Sequence, residues 1–297
     1  MKKLQASLLL DHKSILAEGI QWNPQHERLY WTDIHGRAFH SCDHDGQNHR
    51  MVMLPSRLSA FAFTNKPDIL LAAFEDGLYH FNLKNHHRDM LMACPPPADK
   101  QGVLRFNDGR CDRNGRFLIG TVEEVSLANV GALMVYAPDR QNILMNLIGC
   151  SNGLAFNRAG TKLYHTDSPS QTIMRYPYDC DAGAVFKAGK IFTKIEGDCV
   201  ADGACIDDQD CLWTAIFNGG QVRRYSEQGA LDMVVEVPTS QVTCCAIGGI
   251  SMNRLYISTA FEGFSGMQHR EQPLAGCIFY VDLPDGIGGI AEARAAL

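Results

Sequence analysis

Short runs in which apolar and polar residues alternate, punctuated by turn formers, extend along the whole chain. They come in pairs. Gly19-Ile20-Gln21-Trp22 precedes Arg28-Leu29-Tyr30-Trp31-Thr32-Asp33, and Gly153-Leu154-Ala155-Phe156 precedes Lys162-Leu163-Tyr164-His165-Thr166-Asp167. Asn23-Pro24, Asn114-Gly115, Ala159-Gly160 and Asp208-Gln209 stand between paired runs and carry the chemistry that a short hairpin requires. Further runs follow each pair, among them Asp76-Gly77-Leu78-Tyr79-His80-Phe81 and Gly219-Gly220-Gln221-Val222-Arg223-Arg224-Tyr225, with the period-two alternation of half-buried strands. No segment is predicted as helix.

Aligned on Gly19, Ala60, Gly109, Gly153, Gly203 and Gly248, the pattern repeats every 41 to 50 residues or so, the length of a four-stranded propeller blade. The expected fold is therefore all-β: a six-bladed β-propeller of four-stranded antiparallel blades, forming one domain over residues 1–297. Blade two, around Ser59-Ala60-Phe61-Ala62-Phe63, matches the pattern least well. The last blade ends at Gly276-Cys277-Ile278-Phe279-Tyr280-Val281 without an outer strand. The amino-terminal segment from Gln5 to Leu10 would supply it, close the ring and cover an exposed edge. Two stretches, 94–101 with Pro95-Pro96-Pro97 and 262–273, fit no strand and are read as loops that either rim a pocket or simply connect blades.

With 45% hydrophobic and 20% charged residues, the chain has the makeup of an ordinary globular protein with a large core. Its net charge of -6 and lack of a basic stripe argue against nucleic acid as a partner. No stretch approaches the roughly 20 apolar residues of a membrane helix. The apolar run at Leu8-Leu9-Leu10 is too short for a signal peptide, which makes a cytoplasmic protein the expectation. Eleven cysteines without a C-x-x-C pair read as reduced, mostly buried thiols. A closed ring needs no partner for stability, so a monomer is expected.

The repeats also share a chemical slot. Glu18-Gly19, Asn107-Asp108-Gly109, Ser151-Asn152-Gly153 and Ala201-Asp202-Gly203 each set an oxygen-bearing side chain just before glycine, at the same place in the pattern. Taken singly, such pairs are usually plain turns. If the repeats surround an axis, Glu18, Asn152 and Asp202 converge there as three hard oxygen donors suited to a divalent metal.

These segments, together with Arg105-Phe106, Gly120-Thr121, Leu212-Trp213 and Arg270-Glu271-Gln272-Pro273-Leu274-Ala275-Gly276, resemble in order and spacing the motifs of the senescence-marker-protein-30, gluconolactonase and regucalcin family over essentially the whole chain. The resemblance implies a propeller with one divalent ion at its axis, acting on sugar-acid lactones such as gluconolactone, galactonolactone or arabinonolactone. It implies Glu18, Asn152 and Asp202 as the metal ligands and Arg105 and Asn107 as residues that hold the substrate. A substrate-binding glutamate follows the Gly-Thr pair in the family. Gly120-Thr121-Val122-Glu123-Glu124 is about one residue shorter than that pattern, so Glu123 is assigned the role with Glu124 as the alternative.

Two carboxylates and one amide leave an ion neutralised but with open positions, as Lewis-acid activation of an ester needs. Calcium or zinc is the expected ion, with magnesium, manganese and iron as alternatives. Asp202 is the expected catalytic base for lactone opening, and Arg105 the group that steadies negative charge on the carbonyl oxygen. A buried structural salt bridge is the rival role for Arg105. Competing functions on this scaffold are a calcium-binding regulatory protein of regucalcin type, a hydrolase of organophosphates or other esters, and a bare interaction platform. No G-x-S-x-G elbow, dinucleotide fingerprint or Walker loop is present. His35, His40, His44 and His49 are read as solvent-facing positions of a hairpin rather than a second metal site.

Overall fold

The computed structural model describes residues 1–99 and 102–297, so Lys100 and Gln101, the last two residues of the 94–101 segment, lie outside the described residues. The chain separates into two compact units, Met1–Pro55 with Ile195–Glu292 and Ser56–Lys194 with Ala293–Leu297. Each unit holds three antiparallel sheets, and these are the blades of a six-bladed β-propeller.

In the unit that contains both Met1 and Glu292, one sheet runs Ala17–Asn23, Arg28–Asp33, Ala38–Asp43, Arg50–Met53. A second runs Val200–Ile206, Leu212–Phe217, Gln221–Tyr225, Leu231–Glu236. The third runs Val242–Gly248, Arg254–Thr259, Ile278–Asp282. As expected from sequence, an amino-terminal strand completes this last sheet: Ser7–Leu10 pairs antiparallel with Ile278–Asp282. A second strand, Lys2–Gln5, which the sequence does not announce, adds in parallel to Leu231–Glu236.

The other unit carries the sheet Leu58–Phe63, Ile69–Phe74, Gly77–Asn82, Arg88–Ala93. Beside it in sequence come Leu104–Cys111, Phe117–Glu123, Gly131–Ala137, Arg140–Ile148. The last is Ser151–Phe156, Lys162–Asp167, Thr172–Asp179 with Lys190–Lys194.

Burial explains why first strands such as Leu58–Phe63 and Val200–Ile206 are nearly all apolar or small. Leu58–Phe63 is buried at every position, whereas Arg140–Ile148, a fourth strand, is mostly exposed. Within each unit, neighbouring sheets share aromatic and aliphatic clusters. Phe106, Phe117 and Ile119 pack with Leu71 and Ala73, and Trp22 and Trp31 pack with Tyr256 and Ile278. Burying a side chain such as Phe106 is worth about 1.5–3 kcal/mol.

The first hairpin turns are held by buried side chains at the ends of first strands. Asn23, Asp112, Asn157 and Asp207 accept hydrogen bonds from backbone N–H groups two to five residues ahead, and Thr64 does the same through its hydroxyl. This is the turn chemistry that the Asn, Asp and Gly clusters announce.

Three readings from sequence need amending. The 262–273 segment contains a helix, Gly266–Glu271, started by a capping box in which Ser265 and Gln268 satisfy each other's backbone N–H groups. Six residues are too few to show helical periodicity. Gly248 does not mark the repeat slot, because it ends its strand where a Cβ would sit 2.3 Å from Trp22 Cβ. Finally, His40 does not face solvent: it is 1% exposed and stacks on Trp31. All eleven cysteines are free thiols. Among the described residues no helix is long and apolar enough to cross a membrane.

Removing residues 1–10 strips both amino-terminal strands and exposes the edges Leu231–Glu236 and Ile278–Asp282. The truncated chain is expected to melt at lower temperature than the full chain and to self-associate as concentration rises, measured by thermal scanning and light scattering.

Candidate functional site

Every first strand breaks register at the same place. The breaks fall between Glu18 and Gln21, Leu58 and Ala60, Phe106 and Gly109, Asn152 and Ala155, Ala201 and Ala204, and Val242 and Cys244. A β-bulge leaves a residue out of the ladder and re-aims its side chain, which is why bulges recur beside binding sites. The side chains at or next to these six bulges are Glu18, Ser59, Asn107 with Asp108, Asn152, Asp202 and Thr243. All of them carry oxygen. Gly19 and Gly153 have φ of 58° and 61°, so the residue after Glu18 and after Asn152 must tolerate a left-handed backbone.

In the unit containing Ser56–Lys194, the slot residues are joined by hydrogen bonds. Arg105 is buried and donates from Nη1 to Asn107 Oδ1 at 2.7 Å, to the Phe106 carbonyl at 2.9 Å and to Ser59 Oγ at 3.3 Å. Asn107 Nδ2 in turn donates to Asn152 Oδ1 at 3.0 Å and to the Ser151 carbonyl at 2.9 Å. Asn152 Nδ2 donates to Ser168 Oγ at 2.9 Å. The amide of Asn152 is thereby fixed by both of its ends. Its oxygen carries two lone pairs, one taken by Asn107, and the other is available to a cation.

The glutamates separate cleanly. Glu124 receives Arg105 Nε at 2.7 Å and Arg57 Nη1 at 2.9 Å, and Arg57 also pairs with Glu75 at 2.6 Å. Glu123 instead accepts from the backbone N–H groups of Val125 and Ser126 and from the Ser126 hydroxyl, closing its own turn. Burial alone would raise the Glu124 carboxyl, but Arg105 and Arg57 outweigh it and the net shift is downward. Glu75 is lowered in the same way, its burial outweighed by Arg57. The Ser126 hydroxyl and neighbouring N–H groups lower Glu123. Of the two candidates for the substrate glutamate, the one in contact with Arg105 is Glu124.

Arg57, Arg105 and Glu124 line a cleft of about 720 Å³, with Glu123, Val103 and the Pro95-Pro96-Pro97 run on its wall. The described part of the 94–101 segment thus borders a cavity of the size that holds a small molecule. Arg57, Glu75 and Ser59 went unnoticed in the sequence. Ser59 holds the slot position before Ala60, but a Ser-Ala pair lacks the glycine that marks the other slots.

In the other unit, Glu18 Oε2 accepts the Gly19 N–H at 3.0 Å, and Asp202 is buried to 7% exposure. Thr243, at its own bulge, donates to the Ala17 carbonyl at 2.5 Å and meets Ser258 Oγ at 2.9 Å, tying the strand before Glu18 to the neighbouring sheet of the same unit.

The sequence pattern of the SMP-30/Gluconolactonase/LRE-like region matches residues 16–261. A 6-deoxy-6-sulfogluconolactonase of Pseudomonas putida is 32% identical over 90% of this chain and 90% of its own length. An L-arabinolactonase of Azospirillum brasilense is 31% identical over 98% and 96%. Among solved structures, the calcium-binding protein regucalcin from Agrobacterium tumefaciens superposes with a TM-score of 0.91 at 25% identity, covering all of both chains.

Because the folded-state acidity of Glu124 is depressed, its ion pairs stabilise the fold above the ordinary carboxylate value of 4.5 and lose that contribution as pH falls through the lower folded value. Glu124→Gln is expected to cost ~1–2 kcal/mol at pH 7, discounted for its partial exposure, with the gap to wild type closing at lower pH in urea unfolding curves.

Proposed function

The chain belongs to the SMP-30/gluconolactonase/LRE-like family, and on that premise we propose that it is a divalent-metal-dependent lactonase that hydrolyses a sugar-acid lactone to the open aldonic acid. The observation that carries this reading is the hydrogen-bonded run Arg57–Glu124–Arg105–Asn107–Asn152, which links the cleft to one of the assigned metal ligands. An array of guanidinium, amide and carboxylate groups suits a polyhydroxylated substrate rather than an apolar ester.

Glu18, Asn152 and Asp202 are assigned as ligands of one ion, calcium or zinc by the chemistry of the donors. The ion would supply Lewis acidity toward the ester carbonyl. Lactone hydrolysis consumes one water: its oxygen bonds to the carbonyl carbon, and the ring acyl C–O bond breaks to give a hydroxyl and a carboxylic acid, which releases its proton to solvent and leaves a carboxylate. Asp202 is assigned to take the proton of the attacking water, and that proton is returned to the leaving ring oxygen. Arg105 is assigned to the carbonyl or a neighbouring hydroxyl, with Asn107 donating to the substrate or fixing Asn152. Glu124 keeps the Arg105 guanidinium in place, and Glu123 bounds the cleft from its own turn.

A regulatory calcium-binding role is the alternative, favoured by the likeness to a protein described as calcium-binding. It would not need Arg105.

The test is proton release by metal-stripped protein, with and without added divalent ions, against five- and six-carbon aldonolactones. Turnover of a lactone that requires the ion and falls by at least about 10²-fold in Asp202→Ala is expected. Arg105→Ala is expected to lower kcat/KM while leaving the ion bound. Stoichiometric ion binding without turnover of any lactone would favour the calcium-binding role instead.

A further inference from the structure

A second cluster of metal-ligating side chains lies outside the slot residues. His12 stands in the crossover between Ser7–Leu10 and Ala17–Asn23, His40 on the strand Ala38–Asp43, and His49 just before Arg50–Met53, all in the same unit. One nitrogen from each lies within 4.8 Å of the other two. His40 Nδ1 and His49 Nε2 are 3.1 Å apart, with their rings 5° from parallel. His12 is tilted across both at nearly equal centroid distances, 4.9 Å and 4.7 Å. Trp31 backs the two parallel rings, stacked at 5.1 Å on His40 and 5.7 Å on His49.

We propose that His12, His40 and His49 form a binding site for a divalent transition ion of the zinc or copper type, distinct from the oxygen donors of Glu18, Asn152 and Asp202. A tetrahedral ion with metal–nitrogen bonds of about 2.0–2.1 Å needs nitrogens a little over 3 Å apart, so a small rotation of each ring brings the three lone pairs onto one point. An all-imidazole set selects zinc or copper over calcium or magnesium, which take oxygen. Apolar side chains would fill this space at no polar cost. Instead a buried imidazole, His40 at 1% exposure, turns its Nδ1 toward His49. Burial, with His12 and His49 nearby, holds His40 uncharged, which is the ligating form. Arg28, the cation that acts on His49, is paired with Asp43 at 2.5 Å. A fourth position is left for water or a ligand.

An ion here would staple the amino-terminal crossover to the outer hairpin of the first sheet. Such binding stabilises the folded chain in proportion to occupancy.

The test is electron paramagnetic resonance of the full chain with Cu2+ below one equivalent, beside Zn2+-dependent melting in excess Ca2+. The wild type and Asp202→Asn are expected to show nitrogen superhyperfine structure and a Zn2+-dependent rise in Tm. Both signals are expected to vanish in His49→Gln and in His12→Gln and to survive in His87→Gln, whose ring is an exposed surface imidazole. His12 lies outside the strands, so its variant keeps the test open if His49→Gln folds poorly. An oxygen-only copper spectrum in the wild type, or signals unchanged in His12→Gln and His49→Gln, would overturn the site.

Discussion

The break in register on the first strand of each sheet is the constraint on which the candidate site depends. A regular strand alternates its side chains between the two faces, and here both faces of the first strands are largely buried. A polar group on such a strand would be entombed without water. The bulge takes Asn107 and Asp202 out of the ladder and begins directly after Glu18 and Asn152, so that these four can be polar while their neighbours Ala17, Phe106, Leu154 and Ala204 remain core.

Once a polar group is freed in this way, its orientation must still be set. In the unit with Ser56–Lys194 this is done by hydrogen bonds passed from residue to residue, charge-assisted from Glu75 and Arg57 as far as Arg105 and Asn107, and neutral from Asn107 through Asn152 to Ser168. The anchoring groups are ionised carboxylates and guanidiniums, which hold their geometry more firmly than neutral pairs do. Asn152 is a poor ligand if its amide can flip and a good one if it cannot. The array makes the distinction.

Much of this was legible in the sequence. Strand pairs, turn chemistry, the sixfold repeat and the amino-terminal closing strand all follow from local pattern, because a buried first strand and an Asx-held turn leave the same signature in each copy. The slot residues were legible for the same reason. The identity of the glutamate that meets Arg105 was not: Glu123 and Glu124 are adjacent, and which one closes the turn depends on Ser126 and on Arg57 reaching across from another sheet. Ser59 was hidden because alanine, not glycine, follows it, so the pair lacks the signature of the other slots. The histidines were misread because alternation assigns a face to His40 and His49 but says nothing of Trp31 beneath them or of His12, brought in from the preceding crossover.

The central claim is that the array fixes Asn152 as a donor to a cation, and the most direct measurement of it is calorimetric titration of Mn2+ into Asn107→Ala beside the wild type. Asn107 is not an assigned ligand, and its loss removes the hydrogen bond that orients Asn152 Oδ1, together with its bonds to Arg105 and the Ser151 carbonyl. The account predicts binding at least about tenfold weaker, the usual effect of losing a group that orients a ligand. An unchanged Kd in a well-folded variant would contradict it.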